Sequence, residues 1–307
     1  MQKISLFILF VVLMLSVACS NTQNAKQKTK PIVAVSTFAL YDATNYIAQG
    51  SVDVVNIIPF GVDPHSFEPT PKTMAQLEHA SVVFYNGAGL EPWTQGFDFH
   101  AKAIDMSKYV HLRVLEHNAH HEEEHHDNHH HKGIDPHYWL DFENMKIIVH
   151  IITQELSKLS PSQKVRYELR EDEYKMMLDM LEKEYAQKLS SCQADTVVIS
   201  HNALGYLADR YHFHVESLSG LSPEAQASAK DITRIMKDIQ QKGVHTIFFE
   251  HFVNDSVIKS IAKDTNVTLS VFQPMGNITA DEAKAHLSYK DIMQRNLHKL
   301  TKALQCN

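Results

Sequence analysis

Three histidines of this 307-residue chain stand in short, turn-forming contexts. His65 lies in Gly61-Val62-Asp63-Pro64-His65-Ser66-Phe67-Glu68-Pro69-Thr70-Pro71, His137 in Asp135-Pro136-His137-Tyr138-Trp139-Leu140-Asp141, and His201 in Ser200-His201-Asn202-Ala203. Neutral imidazole is a borderline donor suited to zinc, copper, iron or nickel. One such histidine alone reads as a hydrogen-bonded structural residue. Three of them at strand ends point instead to one shared metal in a cleft. The carboxylates at the motif edges, Asp63, Glu68 and Asp141, suit loop hydrogen bonding or the orientation of imidazoles better than acid–base chemistry.

A second population of histidines is different in kind. Of the 21 His, eight fall in His117 to His131, HNAHHEEEHHDNHHH. A low-complexity mixture of imidazole and carboxylate cannot build a core, so a disordered loop is expected there. It should bind several ions weakly, because each must order the chain. Gathering or sensing zinc is the role we read for it. His121-Glu122-Glu123-Glu124-His125 satisfies the H-E-x-x-H pattern of zinc proteases. That pattern needs a helix packed in a core to fix both imidazoles and the general base, and here the composition alone produces the match.

Other chemistry finds no support. There is no G-x-S-x-G elbow, no phosphate loop and no Cys near a plausible His base. The expectation is a binding protein rather than an enzyme, a zinc hydrolase with an open position for water being the distant alternative. The formal net charge is −7 with His neutral. No basic stripe is interleaved with aromatics, which sets nucleic acid aside.

The elements that must position these residues follow one rhythm, played twice. Runs at Pro31–Thr37, Val52–Pro59, Ser81–Tyr85 and Val110–Leu115 read as strands, with helical patterns at Phe38–Gln49 and Thr73–His79. The rhythm returns with strands at Thr196–Ser200, Phe213–Leu218, Thr246–Glu250 and Thr268–Phe272. Helices at Leu204–Tyr211, Pro223–Lys242 and Asp255–Asp264 separate them, and Tyr289–Leu304 closes the chain. Alternating strands and helices imply parallel pairing. The expected fold is α/β, with two similar parallel-sheet lobes joined by a long rigid backbone helix. Residues 31–143 form the first lobe, with 117–131 as its insertion, and 191–307 the second. Residues 144–190 are linker helices. Ser160-Pro161-Ser162-Gln163 restarts a helix that runs to about Ser190 without Gly or further Pro. Tyr174, Leu178, Leu181, Tyr185 and Leu189 give it one apolar stripe. At 1.5 Å per residue it is roughly 40 Å long and should restrain hinge motion.

The N-terminus carries a targeting signal. Lys3 precedes an apolar run from Ile4 to Val17, too short for a confident membrane span. The run ends in Leu15-Ser16-Val17-Ala18-Cys19, which resembles a bacterial lipoprotein signal with Cys19 lipidated; a plain secretory signal cut near Ala18 is the other reading. Residues 1–19 are then the signal peptide and 20–30 a polar tether. Either reading exports the protein. Cys192 and Cys306 remain, to pair in an oxidising compartment or to stay as free thiols.

The chain resembles the metal-binding receptors of ABC importers in the zinc and manganese cluster, the zinc receptors most of all. The matching residues are Asp63-Pro64-His65 with Glu68-Pro69-Thr70, Asp135 to Asp141, and Ser200-His201-Asn202-Ala203-Leu204-Gly205-Tyr206, with the His-rich insertion before the second motif. The resemblance implies two lobes with metal at their interface, and His65, His137 and His201 as ligands. Manganese receptors typically carry Glu at the position of His201, so His there favours zinc. The fourth ligand of the family is often Asp in a motif like Leu-Asp-Pro-Leu-Gly; here Phe272-Gln273-Pro274-Met275-Gly276 offers the neutral Gln273. Water or another carboxylate could fill that position, with Glu250 in reserve, although a hydrogen-bonding role behind the ligands or at the core edge suits Glu250 better. With a neutral fourth ligand the site would lack compensating negative charge. The implied task is extracytoplasmic capture of zinc, manganese less favoured, and delivery to an ABC permease with a cytoplasmic ATPase. The implied protein is a monomer, periplasmic or held on the outer side of a bacterial membrane by lipid on Cys19. A surface zinc buffer or adhesin is the alternative.

Overall fold

The computed structural model describes residues 30–114, 133–221, 223, 227–252 and 256–307. The signal peptide, Cys19 and the tether as far as residue 29 lie outside the described residues, as does the histidine tract at 117–131.

The first sheet contains β1 (Ile32–Val35), β2 (Asp53–Asn56), β3 (Val82–Tyr85) and β4 (Lys102–Asp105), parallel throughout in the order β2-β1-β3-β4. Helices α1 (Phe38–Ala48) and α2 (Pro71–Leu77) connect its early strands. A two-residue antiparallel hairpin follows, β5 (Arg113–Val114) with β6 (Ile134–Asp135). Then come α3 (Phe142–Leu159) and α4 (Lys164–Leu189). The second sheet is built from β7 (Thr196–His201), β8 (His214–Ser219), β9 (Thr246–Phe249) and β10 (Thr268–Val271), again parallel, in the order β10-β9-β7-β8. Helices α5 (Gly205–Tyr211), α6 (Ala229–Gln241) and α7 (Ser256–Thr265) connect them, and α8 (Ala280–Lys284) and α9 (Tyr289–Ala303) finish the chain. Read from the opposite edge, the second order is the same as the first, so the two lobes share one topology. Among the described residues no helix is long and apolar enough to cross a membrane.

The fourth strand of the first sheet differs from the sequence expectation. Val110–Leu115 alternates well but supplies only the hairpin strand β5, whereas Lys102–Asp105 takes the sheet edge. An edge strand is covered on fewer sides, and of the four residues in β4 only Ile104 is buried, so the segment has little apolar signature to read.

Both sheets are covered on two faces, as parallel sheets require. Val33, Val35, Val82 and Phe84 turn one way, and Ala34 and Val83 the other, onto Ile58, Phe67 and Trp93. In the second lobe Val197 and Ile199 face the central core, and Val198 packs with Ile235, Ile247 and Ile261 outside. The central core is common to both lobes, and α4 runs through it. This helix is 26 residues long, about 39 Å. Its buried tyrosines mark what it touches. Tyr167 Oη lies 2.7 Å from Ser51 Oγ and Tyr174 donates to Asp42 at 2.9 Å, both in the first lobe. Tyr185 donates to the Met293 carbonyl at 2.7 Å, on α9. A disulfide between Cys192 and Cys306 ties the end of the linker to the chain terminus across a separation of 114 residues.

Candidate metal centre

His65 comes from the loop between β2 and α2. Its backbone N–H donates to Asp63 Oδ1 at 2.9 Å, an Asx turn that Pro64 makes rigid. Thr70 caps α2 and Pro71 takes the first helical position, which ends the loop. The other lobe holds this loop from outside. Asn277 Nδ2 donates to the Pro59 and Val62 carbonyls, each at 2.7 Å, and Gly61 N–H to the Ile278 carbonyl at 2.9 Å.

His137 repeats the same local device. Its N–H donates to Asp135 Oδ1 at 3.0 Å, and its Nδ1 lies 2.8 Å from that same oxygen. A short 3-10 turn over Tyr138–Leu140 follows, and Asp141 caps α3 by accepting from Asn144 N–H at 2.9 Å. The turn is anchored on three sides: Tyr138 donates to the Asn86 carbonyl at 2.7 Å, Trp139 Nε1 to the Pro274 carbonyl at 2.6 Å, and Tyr289 to the Trp139 carbonyl at 2.8 Å.

His201 is the last residue of β7, and Glu250 directly follows β9 on the neighbouring strand. That pair of strands is the switch point of the second sheet, where ligands of open α/β sheets bind. His201 Nδ1 lies 2.5 Å from Glu250 Oε1. Both partners are buried, as are His137 and Asp135.

The three rings converge. Each offers a nitrogen within 4.8 Å of the other two, and among the described residues this is the one such group of three or more. The Nε2 atoms of His137 and His201 are 3.2 Å apart. Carboxylates stand at both Nδ1 atoms, so both Nε2 atoms are turned to the space between the rings, where one proton or one cation can bridge them. Between the rings is a cavity of about 20 Å³, room for one water-sized body. Asp63, Trp139, Glu250, Pro274, Gly276 and Asn277 help to line it.

The electrostatics divide the histidines. Burial holds the His65 pKa well below its ordinary value, and the neighbouring His137 and His201 add to the depression. Burial pulls His201 the same way, but the charge of Glu250 and its contact with the ring, helped by Asp63 and Asp135, reverse the effect and raise the pKa.

The remaining residues expected from sequence lie elsewhere. Gln273 is buried, but its Nε2 donates to Glu282 at 2.9 Å and its Oε1 accepts from Met275 N–H at 3.3 Å. It braces the turn whose next residues line the cavity and is not brought to the histidines. Glu68 is exposed, and Asp141 pairs with Arg210. The charge expected to be missing is present, because Glu250 and Asp135 stand directly behind two imidazoles. The repeated Asp-Pro-His was a readable sign of the role of Asp135; Glu250 was read as a hydrogen-bonding group at the core edge, but nothing local signalled that its partner would be His201.

The chain matches the family model described as zinc-uptake complex component A, periplasmic (ZnuA), over residues 33–303. It is 31% identical to the high-affinity zinc uptake system protein ZnuA of Bacillus subtilis (strain 168), with 97% of each chain covered. It is 30% identical to the manganese ABC transporter substrate-binding lipoprotein PsaA of Streptococcus mitis, with 99% of each covered. Among solved structures it is similar to the laminin-binding protein Lmb of Streptococcus agalactiae, described as bifunctional with adhesin and metal transporting activity. The TM-score is 0.79 at 27% identity, covering 90% of this chain and all of that one.

Proposed function

Because the chain belongs to the ZnuA family of periplasmic zinc-uptake components, we propose that its three-histidine cavity captures one divalent metal ion, zinc before manganese. The protein is a metal receptor of an ABC importer, not an enzyme. It binds the ion outside the cytoplasm and delivers it to a permease with its ATPase.

The observation that carries the site assignment is the convergence of three imidazole nitrogens on a cavity with room for one small body. Relatives are named for zinc and for manganese, so the donor set must decide between them. Three nitrogen donors suit zinc, whereas manganese prefers oxygen. With Zn–N bonds of about 2.0–2.1 Å, the edge of a tetrahedral site is about 3.3 Å. The His137–His201 separation of 3.2 Å supports that geometry with little movement. Asp135 and Glu250 fix the tautomer of two ligands and make them better donors. The charge of Glu250 offsets part of that of the ion. Glu250 is engaged with His201 and Gln273 with Glu282, so we assign the fourth position to water.

His65→Ala and His201→Ala should each abolish the tight zinc site while leaving weak binding by the tract, in a chelator-competed titration. Unchanged tight affinity in both variants would remove the cavity from the account. The reading extends to a monomer anchored through lipid on Cys19. Incorporation of labelled fatty acid should be lost in Cys19→Ala.

A further inference from the structure

Arg113 lies on β5, 24 or more positions from all three histidines, yet it touches the carboxylate behind one of them and the helix that follows another. Its Nη1 is 3.5 Å from Asp135 Oδ2, the oxygen of that carboxylate that does not face His137. Asp135 is fully buried, and this second oxygen accepts no hydrogen bond among the described residues, so the guanidinium is the cation that compensates it. The same guanidinium crosses to the other lobe, where Nε meets Asp209 Oδ2 at 2.5 Å. Asp209 belongs to α5, the helix that begins four residues after His201. The backbone makes a parallel link. Arg113 N–H donates to Tyr206 Oη at 2.8 Å, and that hydroxyl donates to the Asp135 carbonyl at 2.9 Å. The space for this crossing is cleared by Gly205: a Cβ there would stand 2.5 Å from Arg113 Nη1 and 2.6 Å from Asp135 Oδ2.

We propose that Arg113 is a positioning residue for metal capture: its guanidinium spans Asp135 and Asp209 and so sets the His137 imidazole of one lobe in register with His201 of the other. The proposal rests on the reading that the three histidines hold the ion. The planar fork of Arg addresses the two carboxylates through separate nitrogens held in a fixed geometry, which the freely rotating ammonium of Lys does not impose. The distance between the two Nε2 atoms is therefore fixed before metal arrives.

The test measures zinc affinity by chelator competition, and zinc release by stopped flow, on the full chain. Arg113→Ala should raise the Kd by about 10–100-fold, as loss of a support behind a ligand does, and should speed release; Arg113→Lys should recover only part. Gly205→Ala leaves both charged groups in place and wedges them apart. The clash should cost stability in either case, so the readout that separates the two roles is affinity: a merely structural role predicts an unchanged Kd in the folded variant, whereas the brace predicts weakened zinc binding. In a His137→Ala background Arg113→Ala should have no further effect. Unchanged Kd in Gly205→Ala and Arg113→Ala, with affinity lost in His137→Ala, would overturn the brace and leave the ligand reading standing. Unchanged affinity in His137→Ala itself would overturn both.

Discussion

Glu250 and Asp135 do at the residue scale what the imidazoles cannot do alone, which is to decide which nitrogen faces the cavity. Glu250→Gln removes the charge that raises His201. Zinc affinity should fall about 10-fold at pH 8, and the pH at which zinc is half released should move down, because protons compete less well for the ring. The pH dependence of the native protein has a definite sign. His65, depressed, is already neutral at pH 6.5, so His201 sets the onset, and zinc affinity should begin to fall above pH 6.5 as the medium is acidified. Stability of the metal-free protein follows from linkage. The raised pKa of His201 stabilises the fold below its unfolded value, and that contribution is lost as pH rises through the folded value. The depressed pKa of His65 works oppositely, costing stability as pH falls below about 6.5. The whole profile also carries the buried carboxyls of Glu91 and Asp42, pushed up to about 7 and about 6, which cost stability as pH rises. The test is therefore a difference: His65→Ala should gain stability relative to the native metal-free chain as pH falls below about 6.5, and a pH-independent difference would contradict the depressed pKa. Gln273→Asp should leave the zinc-to-manganese ratio unchanged, since that side chain is tied to Glu282 and Met275. A ratio shifted towards manganese would return position 273 to the metal.

At the scale of elements, the stripe on α4 was readable because its residues recur every three or four positions and no Gly or Pro interrupts them. Leu178 is fully buried in the core shared by the lobes. Leu178→Ala should cost about 2–5 kcal/mol in denaturant unfolding, and a loss below about 1 kcal/mol would mean that the helix is not the common core of both lobes. The alternation of strands and helices was readable for the same reason: each segment shows its own period. β4 was not, since one buried isoleucine on a sheet edge leaves no period to find. The convergence of three histidines was legible through Asp-Pro-His, written twice, and through the place of His201 at a strand end. Glu250 was legible as a hydrogen-bonding group after its strand, but its partner was not, because the contact with His201 depends on β7 and β9 lying side by side, and the order of strands is a long-range property. The link from Arg113 to Asp135 was hidden likewise, as 22 positions separate partners that the hairpin brings together.

At the largest scale, the described residues from 31 onward form two copies of one topology closed onto a shared core, with the ligand loops held from both sides. Hydrogen bonds from Asn277 and Trp139 cross between the lobes beside the cavity. The disulfide closes 114 residues that contain almost the entire second lobe. In the chain-entropy model a loop of that length contributes about 4–5 kcal/mol, so Cys192→Ser should lower the denaturant midpoint of the metal-free protein clearly. Zinc should raise the unfolding free energy by about 2.7 kcal/mol when free metal exceeds the Kd 100-fold, and the midpoint with it. The central claim is that the cavity, not the histidine tract, does the capturing. Its most direct test is a chelator-competed zinc titration, with manganese in parallel, on the chain beginning after Cys19 and lacking residues 117–131. The account predicts one tight zinc site and much weaker manganese. No tight site would contradict it and assign capture to the tract.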